Sequence, residues 1–229
     1  MRICKLALLC HAARALQAPP RRSVSCRPAA AAPFSAELPD LAPSLQEALK
    51  QRNIQTPTPI QKVALQPLRD GASAVLAAET GSGKTAAFGL GLLQGLVPDR
   101  QPQALVVCPT RELAEQVAVE LRRLAQRMPN TRILSLCGGR PYRDQDRALR
   151  GGAQLVVGTP GRLGKHLRKG SLDLSKLRTL VLDEADRLLD GGFRDDLRTI
   201  VNALPKKRQT LLFSATMGGT VKRTAIGES

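Results

Sequence analysis

Tryptophan is absent from the 229-residue chain, tyrosine occurs once, and aromatic residues make up only 2% of it. A core filled by aromatic side chains is therefore excluded. With 42% apolar residues there is still enough to bury one sizeable core, which Leu, Val, Ile and Ala must build. That is the usual content of α/β sheets covered on both faces. Long apolar runs are lacking too, and no stretch approaches the roughly 20 residues that a membrane-spanning helix needs. Cysteine is sparse and irregular. Cys4, Cys10 and Cys26 lie near the N-terminus, whereas Cys108 and Cys137 each end an apolar run. Their spacing implies neither a metal site nor a disulfide framework, and the last two read as small buried hydrophobes.

Acidic residues are the next shortage. Lys and Arg total 35 against 19 Asp and Glu, a formal charge of +16. Such an excess favours a polyanionic partner, nucleic acid before membrane. Residues 1–36 hold six basic residues and no acid, which leaves 29 basic residues against 19 acids, +10, for the remainder. The first 36 residues are also rich in Ala, with Ser and Pro, the composition of an organellar transit peptide. The apolar stretch 6–10 ahead of Ala13-Arg14-Ala15 loosely mimics a signal-peptidase site, so mitochondrion and plastid both stand as addresses. The plainer alternative is a tail with no address. A leader over 1–36 and one domain over 37–229 are expected.

What the chain does have is a strand, a glycine-rich turn and a helix in succession. The apolar run 74–77 reads as a buried strand, 78–85 is Ala-Glu-Thr-Gly-Ser-Gly-Lys-Thr, and helix formers continue to Leu93. That order is the context a phosphate-binding loop requires. Gly81 and Gly83 let successive N–H groups, with those of Thr80 and Ser82, turn into one concavity. The helix N-terminus adds unpaired amides and partial positive charge. Lys84 can reach the β- and γ-phosphates, and the Thr85 hydroxyl can ligate Mg²⁺. Around this loop, a helix is predicted over 41–52, and a proline-stiffened turn at 56–61 leads into a second up to Leu68. Further strands are predicted at 104–108, 132–137, 154–157, 179–182 and 210–213. A helix over 112–127, capped by Thr110, separates the first two. This alternation indicates βαβ units and a mostly parallel sheet. Asp183-Glu184-Ala185-Asp186 follows one strand, on the edge where open parallel sheets bind ligands. An acid there can hold Mg²⁺ through water, and its neighbour can orient an attacking water.

Read in one-letter code, that acidic quartet names the DEAD-box family of ATP-dependent RNA helicases, and the chain resembles that family's first RecA-like domain over about residues 40–217. The motifs occur in the family's order. Thr58-Pro59-Ile60-Gln61 is similar to the Q motif (53–61), 78–85 to motif I, and Pro109-Thr110-Arg111-Glu112-Leu113-Ala114 to motif Ia. Gly138-Gly139 is similar to the glycine doublet and Thr159-Pro160-Gly161-Arg162 to motif Ib. Asp183 to Asp186 is similar to motif II, and Ser214-Ala215-Thr216 to motif III.

The resemblance implies a RecA-like P-loop NTPase fold with helices on both faces, and ATP with Mg²⁺ as cofactors. It implies that Gln61 reads adenine and that Lys84, Asp183 and Glu184 are catalytic. Thr85 and Asp183 would serve Mg²⁺, with Asp186 also at the nucleotide. RNA is the implied partner, its backbone held by Thr110, Arg111, Gly138, Gly139, Thr159, Gly161 and Arg162 without reading bases. Ser214 and Thr216 would bond near Asp186 and couple the two sites. Three positions depart from the family pattern. The usual stacking Phe falls near Ala36, with Phe34 the nearest aromatic; Asn53 replaces a Gly; Gly191 stands where Met or Leu is common. The family's second RecA-like domain, with its arginines, is expected to be absent in cis. Two rivals stand beside this reading: a non-catalytic ATP- and RNA-binding module, and another P-loop NTPase such as a DNA helicase. Lys84→Ala is expected to lose most of the ATP-induced stabilisation and leave the ligand-free fold nearly unchanged.

Overall fold

The computed structural model describes residues 33–34, 40–79, 81–190 and 192–216. The leader expected over 1–36 falls outside these, apart from 33–34, as do Thr80, Ala36 and Gly191.

Two helices open the domain. α1 (Pro43–Gln51) begins on a proline, whose missing N–H costs nothing in a first turn. α2 (Pro59–Asp70) starts on another, and Thr58 and Gln61 form a reciprocal capping box at its N-terminus. The chain then alternates: β1 (Ala74–Ala77), α3 (Lys84–Gln94), β2 (Ala104–Val107), α4 (Arg111–Leu124), β3 (Ile133–Leu136), α5 (Tyr142–Arg150) and β4 (Leu155–Gly158). It continues through α6 (Pro160–Arg168), β5 (Thr179–Leu182), α7 (Ala185–Asp190), α8 (Arg194–Asn202) and β6 (Gln209–Ser214). All pairings are parallel, in the order β1-β6-β5-β2-β4-β3. The predicted α/β fold with helices on both faces is the fold observed.

Period-two alternation divides the core into two layers. Ala104, Val106 and Cys108 face one layer with α1 to α4, while Leu105 and Val107 face the other with α6, α7 and α8. Aliphatic residues fill both, as the scarcity of aromatics requires; among the described residues Phe88 packs against Phe213 in the first layer, centroids 5.4 Å apart. Cys108 and Cys137 are buried free thiols. Phe34 is also buried in the first layer, so packed structure reaches into the segment read as leader. Among the described residues no helix is long and apolar enough to cross a membrane.

Candidate functional site

Every strand runs the same way, so the loops that follow β1, β2, β4, β5 and β6 gather on one edge of the sheet. The glycine-rich loop is tethered there by the Ala78 N–H, which donates to Ser214 O at 2.9 Å. Gly81 and Gly83 have φ of 82° and 89°, left-handed values that a side chain would strain. The turn before α2 holds the loop from beneath. Thr58 Oγ1 donates to Ser82 O at 3.0 Å and Gln61 Nε2 to Gly83 O at 3.1 Å. Gln61 Oε1 accepts the Thr58 N–H at 2.8 Å, and the residue is only 2% exposed. Read from sequence as an adenine sensor, Gln61 here caps α2 and grips the phosphate loop.

Lys84 opens α3 and points across to the end of β5, where its Nζ meets Asp183 Oδ1 at 2.7 Å. Both side chains are buried, so this pair needs further hydrogen bonds to offset desolvation. Oδ1 also accepts the Glu184 N–H at 3.0 Å, but Oδ2 is buried with no partner. Burial pushes the Asp183 carboxyl up, and the Lys84 ammonium opposes that rise. A buried carboxylate oxygen without a donor, with the half-buried Thr85 one residue past Lys84, fits a Mg²⁺ held by one acid plus phosphates. Among the described residues no cluster of three metal-binding side chains exists, and that mode of binding needs none.

Glu184 has φ of 50°, an uncommon value for a residue with a side chain, and its Oε2 meets Arg187 Nη1 at 3.0 Å. Asp186 faces the end of β6. Its Oδ2 accepts Thr216 Oγ1 at 2.9 Å and the Thr216 N–H at 3.3 Å, while Ser214 Oγ donates to Thr216 O at 2.6 Å. Burial would raise the Asp186 carboxyl, but the bonds from Thr216 and the Arg187 N–H outweigh it and hold the group below its usual range.

The other loops on this edge form a neighbouring, more open face. Thr110 caps α4 by accepting the Leu113 N–H at 3.3 Å. Thr110, Arg111, Gly139 and Gly161 are exposed, with Gly138, Thr159 and Arg162 half-buried. Gly139 has φ of 75°, and a Cβ there would collide with the Arg111 guanidinium. Arg162 Nη1 donates to Arg140 O at 3.0 Å, and Arg140 Nη2 meets Glu115 Oε2 at 3.1 Å. The loops after β2, β3 and β4 are thereby joined. Arg140 and Glu115 escaped the sequence reading, although Arg140 directly follows the glycine doublet.

Beneath this face lies a polar chain that sequence reasoning also missed. Gln145 Nε2 donates to Cys137 O at 2.8 Å, and His166 Nε2 lies 3.3 Å from Gln145 Oε1. His166 Nδ1 is 2.8 Å from Ser171 Oγ, which is 2.7 Å from the Tyr142 hydroxyl. The Tyr142 ring stacks on His166 at 4.4 Å. Burial first, then the Arg162 charge, pulls the His166 pKa down to about 4, so the ring is neutral. It bridges the loop carrying Gly138 to the helix that starts at Pro160.

The family model for the DEAD/DEAH box helicases matches residues 58–224. The chain belongs to that family. Among curated DEAD-box relatives, the ATP-dependent RNA helicase DbpA of Escherichia coli is 53% identical over 177 residues, 77% of this chain and 39% of DbpA. The ATP-dependent RNA helicase DeaD of the same species is 51% identical over 178 residues, 77% of this chain and 28% of DeaD. A solved DEAD box protein from the hyperthermophile Methanococcus jannaschii superposes with a TM-score of 0.76 at 39% identity, covering 81% of this chain and 51% of that one. This DEAD-box chain thus spans about two fifths or less of the length of these two curated relatives.

Proposed function

We propose that this chain is the ATP-binding half of an RNA helicase, binding Mg-ATP and an RNA backbone at adjoining places on one sheet edge. The observation that carries the proposal is the meeting of Lys84 and Asp183 at 2.7 Å beneath a glycine-rich loop. It joins a phosphate-directed cation and a metal-directed acid in one dry site. Lys84 would leave Asp183 for the phosphates, and Asp183 and Thr85 would then hold Mg²⁺. The bound ion would supply charge neutralisation at the transferring phosphate. Glu184 is the residue to orient the attacking water, and Asp186 carries the state of the nucleotide to Thr216 and Ser214. Arg111, Gly139, Arg162 and their neighbours would grip phosphate oxygens without reading bases.

The family resemblance assigns the arginines that complete the ATP site to a second RecA-like domain. Where such fingers have been measured they are worth on the order of 10³–10⁵ in rate. Hydrolysis by this chain alone is therefore expected near background. Addition of a relative's second domain is expected to bring RNA-stimulated ATPase activity that Glu184→Gln removes. Mg-ATP at about a hundred times its Kd should stabilise the chain by roughly 2.7 kcal/mol. No thermal shift with Mg-ATP, or turnover indifferent to Glu184→Gln, would overturn the reading. We further propose that the acid-free segment 1–36 is an organellar leader.

A further inference from the structure

At the opposite edge of the sheet, away from the nucleotide and RNA loops, the strands begin around a depression of about 500 Å³. Ala104, Thr179 and Gln209 form its floor, and Arg69, Arg178, Lys207 and Arg208 stand around it. Among the described residues no carboxylate lines it. Elsewhere on the described surface, Arg52, Arg140, Arg168 and Lys176 meet an acid, while others such as Arg123 and Arg127 stand singly in solvent; what distinguishes the depression is that its cations share one concavity. Arg178 and Lys207 are exposed and meet none, and Arg69 holds only the largely exposed Asp40, at 3.3 Å. Arg208 is half-buried at the rim, and its Nη1 donates to Pro205 O at 2.8 Å, which fixes the side chain beside the depression.

Basic residues on a surface are ordinarily just solvated, and they gain by standing apart. Here four converge on one concavity. An oxyanion would neutralise the cluster and accept from the guanidinium groups at its rim, whose fork geometry matches phosphate. Low-dielectric walls lined by one sign of charge also focus the field on such a ligand. The depression is open, and its rim cations are exposed, which suits a passing strand better than an enclosed small anion.

We propose that this depression is a second RNA contact, binding the phosphate backbone of a segment outside the Arg111–Arg162 face. The proposal rests on the RNA-binding reading for its ligand class but on separate residues for its site. Four-residue strands at about 3.3 Å per residue put more than 10 Å of sheet between the two. An RNA that engages both must run round the domain from one edge of the sheet to the other, so a long oligomer gains a contact that a short one lacks.

The test uses the full chain and fluorescence anisotropy with two labelled oligouridylates, one of about 10 nucleotides and one of about 40, titrated across salt. Arg178→Glu/Lys207→Glu, both at exposed positions, is compared with Arg123→Glu/Arg127→Glu, an equal charge change at exposed positions on α4 and the turn that follows it. The pocket variant is expected to weaken the long oligomer about tenfold and to flatten its salt slope by about 1.4, two contacts at about 0.7 each. The short oligomer and the control variant should stay near wild type. Equal weakening by the control would reduce the effect to net charge and overturn the site. Arg111→Ala separates the two ideas. If it weakens both oligomers while the pocket variant changes neither, the second contact is wrong and the first face stands. If the pocket variant alone weakens the long oligomer, the second contact stands and the first face fails. Inorganic phosphate that stabilises wild type but not the pocket variant, with no effect of that variant on RNA, would make the occupant a free anion and overturn the proposal.

Discussion

The proposed nucleotide site and the proposed nucleic-acid face share one edge of the sheet but are built in opposite ways. At the first, Lys84, Asp183 and Gln61 are buried and spend their polar atoms on each other and on the glycine-rich loop. At the second, Arg111 and Arg140 are exposed, and the loops already stand in place. A nucleotide must therefore replace internal bonds before it gains new ones, whereas a phosphate backbone meets donors already presented. Affinity at the first site is a difference between two large terms. At the second it is closer to a plain sum of surface contacts, screened by salt.

The largest expected effect breaks the buried site. Sequence alone suggests that Lys84→Ala spares the ligand-free fold, but the ion pair changes that expectation. Removing Lys84 strands a buried carboxylate, which costs about 3–5 kcal/mol where such pairs have been broken. The check is a urea or thermal melt without nucleotide. Because burial already raises the Asp183 carboxyl, its folded form binds a proton more readily than the unfolded chain does. The deficit should therefore shrink as pH falls into the carboxylate range. Lys84→Ala/Asp183→Asn should recover much of the loss.

The second prediction tests the footing of the open face. His166 has a folded pKa of about 4, below the ordinary 6.5 of the unfolded chain. Its contribution is complete above pH 6.5 and is lost as pH falls from there through 4, up to about 3 kcal/mol in all. Stability measured against pH should slope over that window, and His166→Gln should flatten the slope.

A smaller effect is expected from Gly139→Ala. A left-handed backbone costs a side chain about 1–2 kcal/mol, and the new methyl displaces the Arg111 guanidinium. RNA affinity should fall about tenfold while the Mg-ATP thermal shift is kept. Loss of that shift instead would mean that the two sites are not separable as described. Smallest is Thr216→Ala, which removes one hydrogen bond to Asp186 and should cost about 1 kcal/mol. The Asp186 carboxyl should rise toward its ordinary range, readable by NMR titration.

Local signals were legible in the sequence and long-range pairings were not. The six strands announce themselves as short apolar runs, and Thr110 caps α4 where its position predicts. α5 gives no such signal, since Gln145 is its one buried residue and no apolar stripe marks its face. α6 opens with Pro160 and carries Gly161 in its first turn, a residue that weakens a helical pattern. Nothing local says that Lys84 will reach Asp183, 99 positions on, or that Gln145, His166 and Ser171 will share one chain of bonds. Those pairings come from the strand order, which places the ends of β1 and β5 on either side of β6.

Glu184 carries a consequence of its own. With φ at 50° it occupies backbone territory that glycine or asparagine would enter more comfortably. Under the proposed role, selection for a well-folded domain and selection for hydrolysis pull on one codon in opposite directions. A library enriched only for soluble expression would drift toward glycine there and lose the carboxylate silently, with every global measure of quality improving as it went.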